Sequence, residues 1–272
     1  MVSRFAEYLK VHHNLIFPHR HSFYHLVYFT VGSGSHTIDF AQFTVRPQQI
    51  YFMTPGQVHS WSFEGKVDGY LVNFSPEFFH SFLLRPEYLD SFYFLNGVTE
   101  DSVLNLSDFV ADKLTRTFEE LIETSAAVAA FREDLIRVKL LEIFILIAQT
   151  ESRDKIEKVS APSNMVIKNF QKLVENNFLK MKLPGEYARR LSVTPNHLNA
   201  LSKSHLGMQA GEVIRLRTIL EAKRLLVSID LTVSEIAYKL NFSDNSYFTK
   251  FFRKYTGLTP ESFRKKALIE RQ

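Results

Sequence analysis

The chain has 272 residues, of which 45% are hydrophobic, 23% are charged and none is cysteine. That length and composition allow two modest domains, each with a core of its own, and exclude disulfides and thiolate metal sites. The formal net charge of +4 hides a split: 14 Lys and Arg stand against 20 Asp and Glu from Met1 to Pro162, but 19 against 9 from Ser163 to Gln272. A basic C-terminal region joined to an acidic N-terminal one points to a polyanion-binding module attached to something else.

The N-terminus, MVSRFAEYLK, has no apolar signal core. The longest apolar run, IFILIA at 143–148, is far short of the roughly 20 residues a membrane span needs, so a cytoplasmic protein with no membrane partner is expected. Residues 15 to 75 read as strands: HLVYFTV, HTIDF, QIYFM and GYLVNF are short and rich in β-branched or aromatic residues, with turn signals at GSG (32–34) and TPG (54–56). Strands at this spacing predict a β-sandwich or small barrel. Val110, Leu114, Phe118, Leu121 and Ile122, then Phe131, Leu135, Val138 and Leu141 to Phe144, recur at helical spacing, predicting helices over 107–124 and 130–149. The second helix is apolar almost all round near Leu140–Ile147, which predicts a homodimer interface, with packing wholly against the β-domain as the competing expectation. ESRDKIEKVSAPS (151–163) is charged, ends in Ala-Pro-Ser and reads as a linker.

The remainder is helical and repeats itself. YARRLSVTPNHLNALSKSHLG (187–207) runs parallel to IAYKLNFSDNSYFTKFFRKYTG (236–257), with one extra residue in the second turn. Each copy reads as a short helix, a tight turn and a second helix. Thr194 before Pro195 is an N-cap signal, Thr232 with Glu235 a capping box, Asn241 a turn residue tolerant of positive φ, and Gly207 and Gly257 helix C-termini. A helix-turn-helix lays its second helix in a DNA major groove. Between the copies, EVIRLRTILEAKRLLVS (212–228) predicts an amphipathic spacer of roughly 24 Å. Such a spacer suits two recognition helices about one DNA turn, or 34 Å, apart.

RLRTILEAKRLL (215–226), SEIAYKLNFSDNSYFTKFFRKYTGLTPESFRK (234–265) and the capped VTPNHLNAL together make residues 183–266 resemble the DNA-binding domain of the AraC/XylS family of transcription regulators. The resemblance implies base or phosphate contacts from Asn196, Asn199 and Lys203 in the first copy, and from Ser246, Thr249, Lys250 and Arg253 in the second. Ala200 departs from the family, standing where a long polar side chain is common. Ser202 likewise replaces a usual core aromatic. Both imply a first recognition helix that discriminates less.

PHRHSFYHLVYFTVGSG followed by MTPGQVHSW resembles the cupin-like sensory domain of the same family. His19, His21, His25 and His59 fall at the spacing at which metal cupins hold their ion, with His25 where those proteins usually have Glu. On an unbroken strand the first three share one face. Imidazoles suit Zn, Fe, Ni or Cu, so the alternative is a cupin metalloenzyme with an appended DNA-localising domain. The resemblance favours sensing over catalysis: a pocket in which the histidines, with Tyr28 and Trp61, bind a small effector without a metal or other cofactor. Phe23, Phe63 and Tyr70 are further candidate lining residues, although any one aromatic is more often plain core.

The fold expected is therefore α+β and multidomain. It comprises a cupin-like β-barrel or sandwich over 1–100, a helical hairpin over 101–150, a linker over 151–162 and an all-α double helix-turn-helix domain over 163–272. The expected function is non-enzymatic transcription regulation. Its partners would be double-stranded DNA at two successive major-groove segments, a small-molecule effector, a second copy of the chain and, for an activator, RNA polymerase.

Overall fold

A computed structural model describes residues 1–12, 17–150, 162–227 and 230–269. The linker expected over 151–162 lies outside the described residues but for Pro162, which opens a helix. The chain divides into two units, 1–151 and 152–272.

The first unit is a sandwich of two antiparallel sheets. β1 (Val2–Arg4), β8 (Asp68–Phe74), β3 (Tyr24–Val31), β6 (Gln49–Met53) and β9 (Val103–Asn105) form a five-stranded sheet in that spatial order. The second sheet is ordered β2 (His19–Arg20), β7 (Val58–Phe63), β4 (Gly34–Ile38) and β5 (Ala41–Thr44). The larger sheet is buried on both faces, which explains why its strands read as continuous apolar runs instead of alternating. Val27, Phe29, Tyr51, Met53 and Leu71 point between the sheets, where they meet Trp61 of β7 and Phe5 of α1 (Phe5–Val11). Leu26, Tyr28, Ile50, Phe52, Tyr70 and Val72 point the other way, under α2 (Asp108–Ala126) and α3 (Arg132–Ala148).

The helical hairpin thus shares one core with the sheet. Leu140, Ile143, Phe144 and Ile147 are fully buried within this single chain, where Phe52, Phe74, Phe79, Phe92 and Phe94 ring Phe144. The apolar run in α3 therefore needs no second chain to cover it. What stays outside is a narrower stripe: Phe131, Leu135 and Val138 are exposed, the last two by 49% each.

Two expectations about strands need correction. HTIDF ends as a strand at Ile38, because Asp39 and Phe40 both take positive φ (46° and 74°) and turn the chain into β5. Asp39 is held there by Gln57 Nε2 (2.8 Å) and the Val58 amide (3.2 Å). Residues 19–25 are not one strand either. His19 pairs with His59 in the smaller sheet, whereas His25 pairs with Met53 and Asn73 in the larger. The segment crosses from one sheet to the other through Ser22 and Phe23.

The second unit is all helical: α4 (Pro162–Asn177), α5 (Pro184–Arg190), α6 (Pro195–Leu206), α7 (Ala210–Leu226), α8 (Val233–Lys239), α9 (Asn245–Thr256) and α10 (Pro260–Ile269). Its core combines Ala188, Leu198, Ala237, Leu240, Phe248 and Phe252 with Ile214, Ile219, Ala222 and Leu225 of α7. The repeat extends to its turns. Asn241 (φ 61°) and Ser192 (φ 56°) both lie in the left-handed region. The following amides, of Phe242 and Val193, donate to Ala237 O and Ala188 O at 3.0 Å each. Asn241 also donates from Nδ2 to Leu179 O at 3.1 Å. Asn241→Ala and Asn241→Gly both remove that side-chain bond, so their difference isolates the backbone. Urea unfolding should find the alanine variant about 1 kcal/mol less stable than the glycine variant.

Candidate nucleic-acid interface and histidine cluster

Both second helices of the repeat are fixed at their ends by their own side chains. Thr194 Oγ1 accepts from the His197 amide at 3.2 Å, and Asp244 accepts from the amides of Ser246 (2.7 Å) and Tyr247 (3.2 Å). These caps satisfy amides at a helix N-terminus that no carbonyl within the helix can reach. The C-terminal Gly207 and Gly257 are left-handed at φ 72° and 76°. Leu198 in α6, and Phe248 and Phe252 in α9, are fully buried and set which face remains wet. On that wet face Asn196, Lys203, Ser246, Lys250 and Arg253 are exposed and Thr249 is half-buried.

Asn199 behaves differently. Its Oδ1 accepts from the Ala210 amide at 3.1 Å, capping the first turn of α7. That bond engages the side chain in joining α6 to α7. Ser202 is also inward, donating to Met208 O at 2.7 Å, so a hydroxyl occupies that core position with its bond satisfied. Part of the positive excess is structural too. Arg217 grips Glu175 with Nε (2.6 Å) and a terminal nitrogen (2.7 Å), reaches Glu221 at 3.0 Å and lies 4.1 Å over the Phe178 ring. Arg264 donates to Leu226 O and Leu231 O.

In the first unit, the two sheets bring His19, His21, His25 and His59 together. Ring centroids are 5.0 Å apart for His19–His21, 4.3 Å for His19–His59, 5.1 Å for His21–His59, and 5.1 and 5.2 Å from His25 to His21 and His59. A fifth ring, His36 of β4, meets His59 Nδ1 through its Nε2 at 3.1 Å and stacks on Trp61. Burial disfavours the charged ring, and neighbouring histidines add to that effect. His21 is pushed down to about 4 and His25 to about 3, with His36 and His59 well below their ordinary value. The cluster is neutral at pH 7.

Tyr28 does not join it. Three positions beyond His25, it faces the opposite side of β3, donates to Ala111 O (3.3 Å), bonds Thr115 Oγ1 (3.2 Å) and stacks on Phe118. Tyr70 shares that outer face and bonds Glu119. Trp61 is on the inner face but packed into it: Phe5, Phe29, Tyr51 and Trp61 fill the space between the sheets with neighbouring centroids 5.3–5.9 Å apart. Phe63 packs against this group, and Phe23 stacks on His21 at 4.5 Å. A broad pocket lined by histidines, Tyr28 and Trp61 is therefore not what the fold builds. The histidines face chiefly one another.

Residues 7–138 match the family model of an AraC-like ligand binding domain, and residues 187–266 match a helix-turn-helix domain model. The transcriptional activator AarP of Providencia stuartii is 33% identical over 91 residues, covering 34% of this chain and 67% of that protein. The chain belongs to the AraC family of transcriptional regulators. A second AraC-type relative, the activator RhaS of Salmonella heidelberg, is 23% identical over 91% of this chain and 87% of its own length. The uncharacterized regulator YpdC of Escherichia coli K12 is 31% identical over 90 residues, 33% of this chain and 32% of that one. The chain spans less than a third of the length of several curated relatives it matches.

Two residues on the helical face were not singled out from the AraC-type sequence motifs. Tyr247, 59% exposed, and His197, its counterpart in the first copy, stand in the first turns of the two second helices. Aligning the copies residue by residue is the signal that finds them, since an aromatic beside core aromatics otherwise reads as core. His36 escaped because it lies alone in its stretch of sequence and reaches the cluster only through strand pairing. Because Asn199 caps a helix, Asn199→Ala should lower stability by about 1 kcal/mol in thermal or urea unfolding. Lys203→Ala, which removes an exposed side chain, should leave stability unchanged within about 0.5 kcal/mol.

Proposed function

We propose that this chain is a DNA-binding transcription regulator whose N-terminal domain senses a small effector and whose C-terminal unit reads DNA. The reading rests on the duplicated, capped helix-turn-helix, with Ser246, Thr249, Lys250 and Arg253 on one wet helix face and Asn196 and Lys203 on the other. It includes no catalysis. It places the chain in the cytoplasm beside its DNA, and among the described residues no helix is long and apolar enough to cross a membrane. Two recognition helices joined through one core suit two successive major-groove segments. RNA polymerase is a further partner if the protein activates.

Selection of bound sequences from a random duplex pool with the full chain tests this directly. A single enriched motif with two elements about one helical turn apart is expected; no enrichment rejects the reading. On the selected site, affinity should fall steeply with salt, since Lys and Arg displace condensed counterions. Lys250→Ala should weaken binding by about 1–3 kcal/mol and relax preference at one base pair, read by competition among single-base variants.

We further propose that copies of the chain pair through the exposed stripe Phe131, Leu135 and Val138 on α3. Its side chains are large and apolar, exposed by 78% at Phe131 and 49% at Leu135 and Val138, although Leu140, Ile143, Phe144 and Ile147 farther along the helix are fully buried. Leu135→Asp and Val138→Asp touch no buried core position, so both should stay folded. Light scattering should find them monomeric where the wild type is dimeric; a wild-type monomer at micromolar concentration rejects the pairing.

A further inference from the structure

One ring nitrogen from each of His19, His21 and His59 lies within 4.8 Å of the others. The Nε2 atoms of these rings, and that of His25, are buried with no hydrogen-bond partner among the described residues. The Nδ1 atoms of His19, His25 and His59 are employed elsewhere. His19 Nδ1 faces Phe17 O at 2.8 Å and His25 Nδ1 faces Asn73 Oδ1 at 2.7 Å. A carbonyl oxygen only accepts, so both Nδ1 atoms carry the ring proton and both Nε2 atoms are bare lone pairs. His59 Nδ1 meets His36 Nε2 at 3.1 Å, and donation from His59 leaves its Nε2 bare as well.

Converging lone pairs without a donor are unfavourable, because each buried polar group has given up its bond to water and gained none in return. A cation that accepts several nitrogen lone pairs at once relieves this. We propose that His19, His21 and His59 bind one divalent transition-metal ion through Nε2, with His25 as the adjacent fourth donor.

Neutral imidazoles select borderline ions such as Zn²⁺, Ni²⁺, Co²⁺ or Cu²⁺ over Mg²⁺ and Ca²⁺, which require oxygen. The chain has no cysteine to divert a softer ion. The carbonyl oxygen behind His19 Nδ1 and the amide oxygen behind His25 Nδ1 are the orienting partners such ligands have, and they set the Nε2-binding tautomer of those two rings. At Zn–N distances of about 2.0–2.1 Å, tetrahedral donors stand about 3.3 Å apart, so the rings need draw in by only about 1–1.5 Å. His21 lies where the chain crosses between sheets, outside any strand, which gives it that freedom.

If the domain senses effectors as proposed above, the ion is itself a signal, and that consequence alone rests on the earlier reading. The full chain, stripped with a chelator and dialysed, is titrated with Zn²⁺ by calorimetry and with Co²⁺ by visible absorption. One ion per chain is expected, with the Co²⁺ bands of a nitrogen-rich, four-coordinate site. His21→Ala and His59→Ala should abolish saturation at the same concentrations. His25→Ala should weaken it, and His80→Ala, at an exposed ring outside the cluster, should change nothing. Failure of the wild type to bind either ion overturns the site, as does equal binding by His21→Ala and His59→Ala. The wild-type stoichiometry and Co²⁺ spectrum decide the matter even if a variant misfolds. DNA affinity with and without Zn²⁺ separates the two readings. One bound ion with unchanged DNA affinity keeps the site and rejects its signalling role. No bound ion, together with a response to an organic effector, rejects the site and keeps the sensor.

Discussion

The N-terminal unit is governed by the burial of one strand on both sides. β3 runs through the middle of the larger sheet, paired with β6 and β8, so from His25 to Phe29 neither edge nor face reaches water. Alternate residues must then belong to different cores. Val27 and Phe29 go to the space between the sheets, while Leu26 and Tyr28 go under the helices. His25 has the parity of Val27 and is carried inward with it, to 2% exposure. Its confinement follows from position in the strand. The same strand presents Tyr28 to Ala111 and Thr115 on α2. Any change in how β3 sits is therefore felt at the histidines on one face and at the helical hairpin on the other.

A polar ring drawn into such an environment is costly unless its nitrogens are bonded. The fold gives one nitrogen on each of His19, His25 and His59 a named partner, and the Nε2 atoms of these three rings and of His21 are buried without one among the described residues. An arrangement selected only for packing would use apolar side chains there, as the sandwich does a few ångströms away with Phe29 and Trp61. His19, His25 and His59 enter the set from paired strands, and His21 joins them from the crossing between the sheets.

What was legible in the sequence depended on whether a signal was local. Caps and turns are local, and Thr194, Thr232 with Glu235, Asn241, Gly207 and Gly257 all stand in the conformations their chemistry demands. The long strands and both helices of the hairpin were likewise readable from period and composition. Short edge strands were not: β1, β2, β5 and β9 have two to four residues each, too few for a period, and exist because a neighbour supplies the ladder. Strand parity misled at residues 19–25, since it presumes an unbroken strand. Tyr28 was assigned to the histidines by proximity in sequence, although its face was decided by an odd separation from His25. The cap made by Asn199 lies between two helices, so no pattern within α6 alone reveals it.

The C-terminal unit turns on α7 in the way the first turns on β3. Its N-terminal amide at Ala210 is capped by Asn199 from α6, and its C-terminal carbonyl at Leu226 accepts from Arg264 of α10. The two ends of the helix are thereby tied by side chains to the first copy of the repeat and to the helix that follows the second, and its apolar face fills the core the copies share. The bond from Asn199 makes the halves unequal. The position equivalent to Thr249 is spent on holding α6 to α7, and the position equivalent to Lys250 is Ala200. The first helix is left with Asn196, His197 and Lys203 on its wet face, against Ser246, Tyr247, Thr249, Lys250 and Arg253 on the second. The second helix therefore carries the larger set of polar side chains on its wet face. That division follows from which side chains the scaffold itself has already engaged.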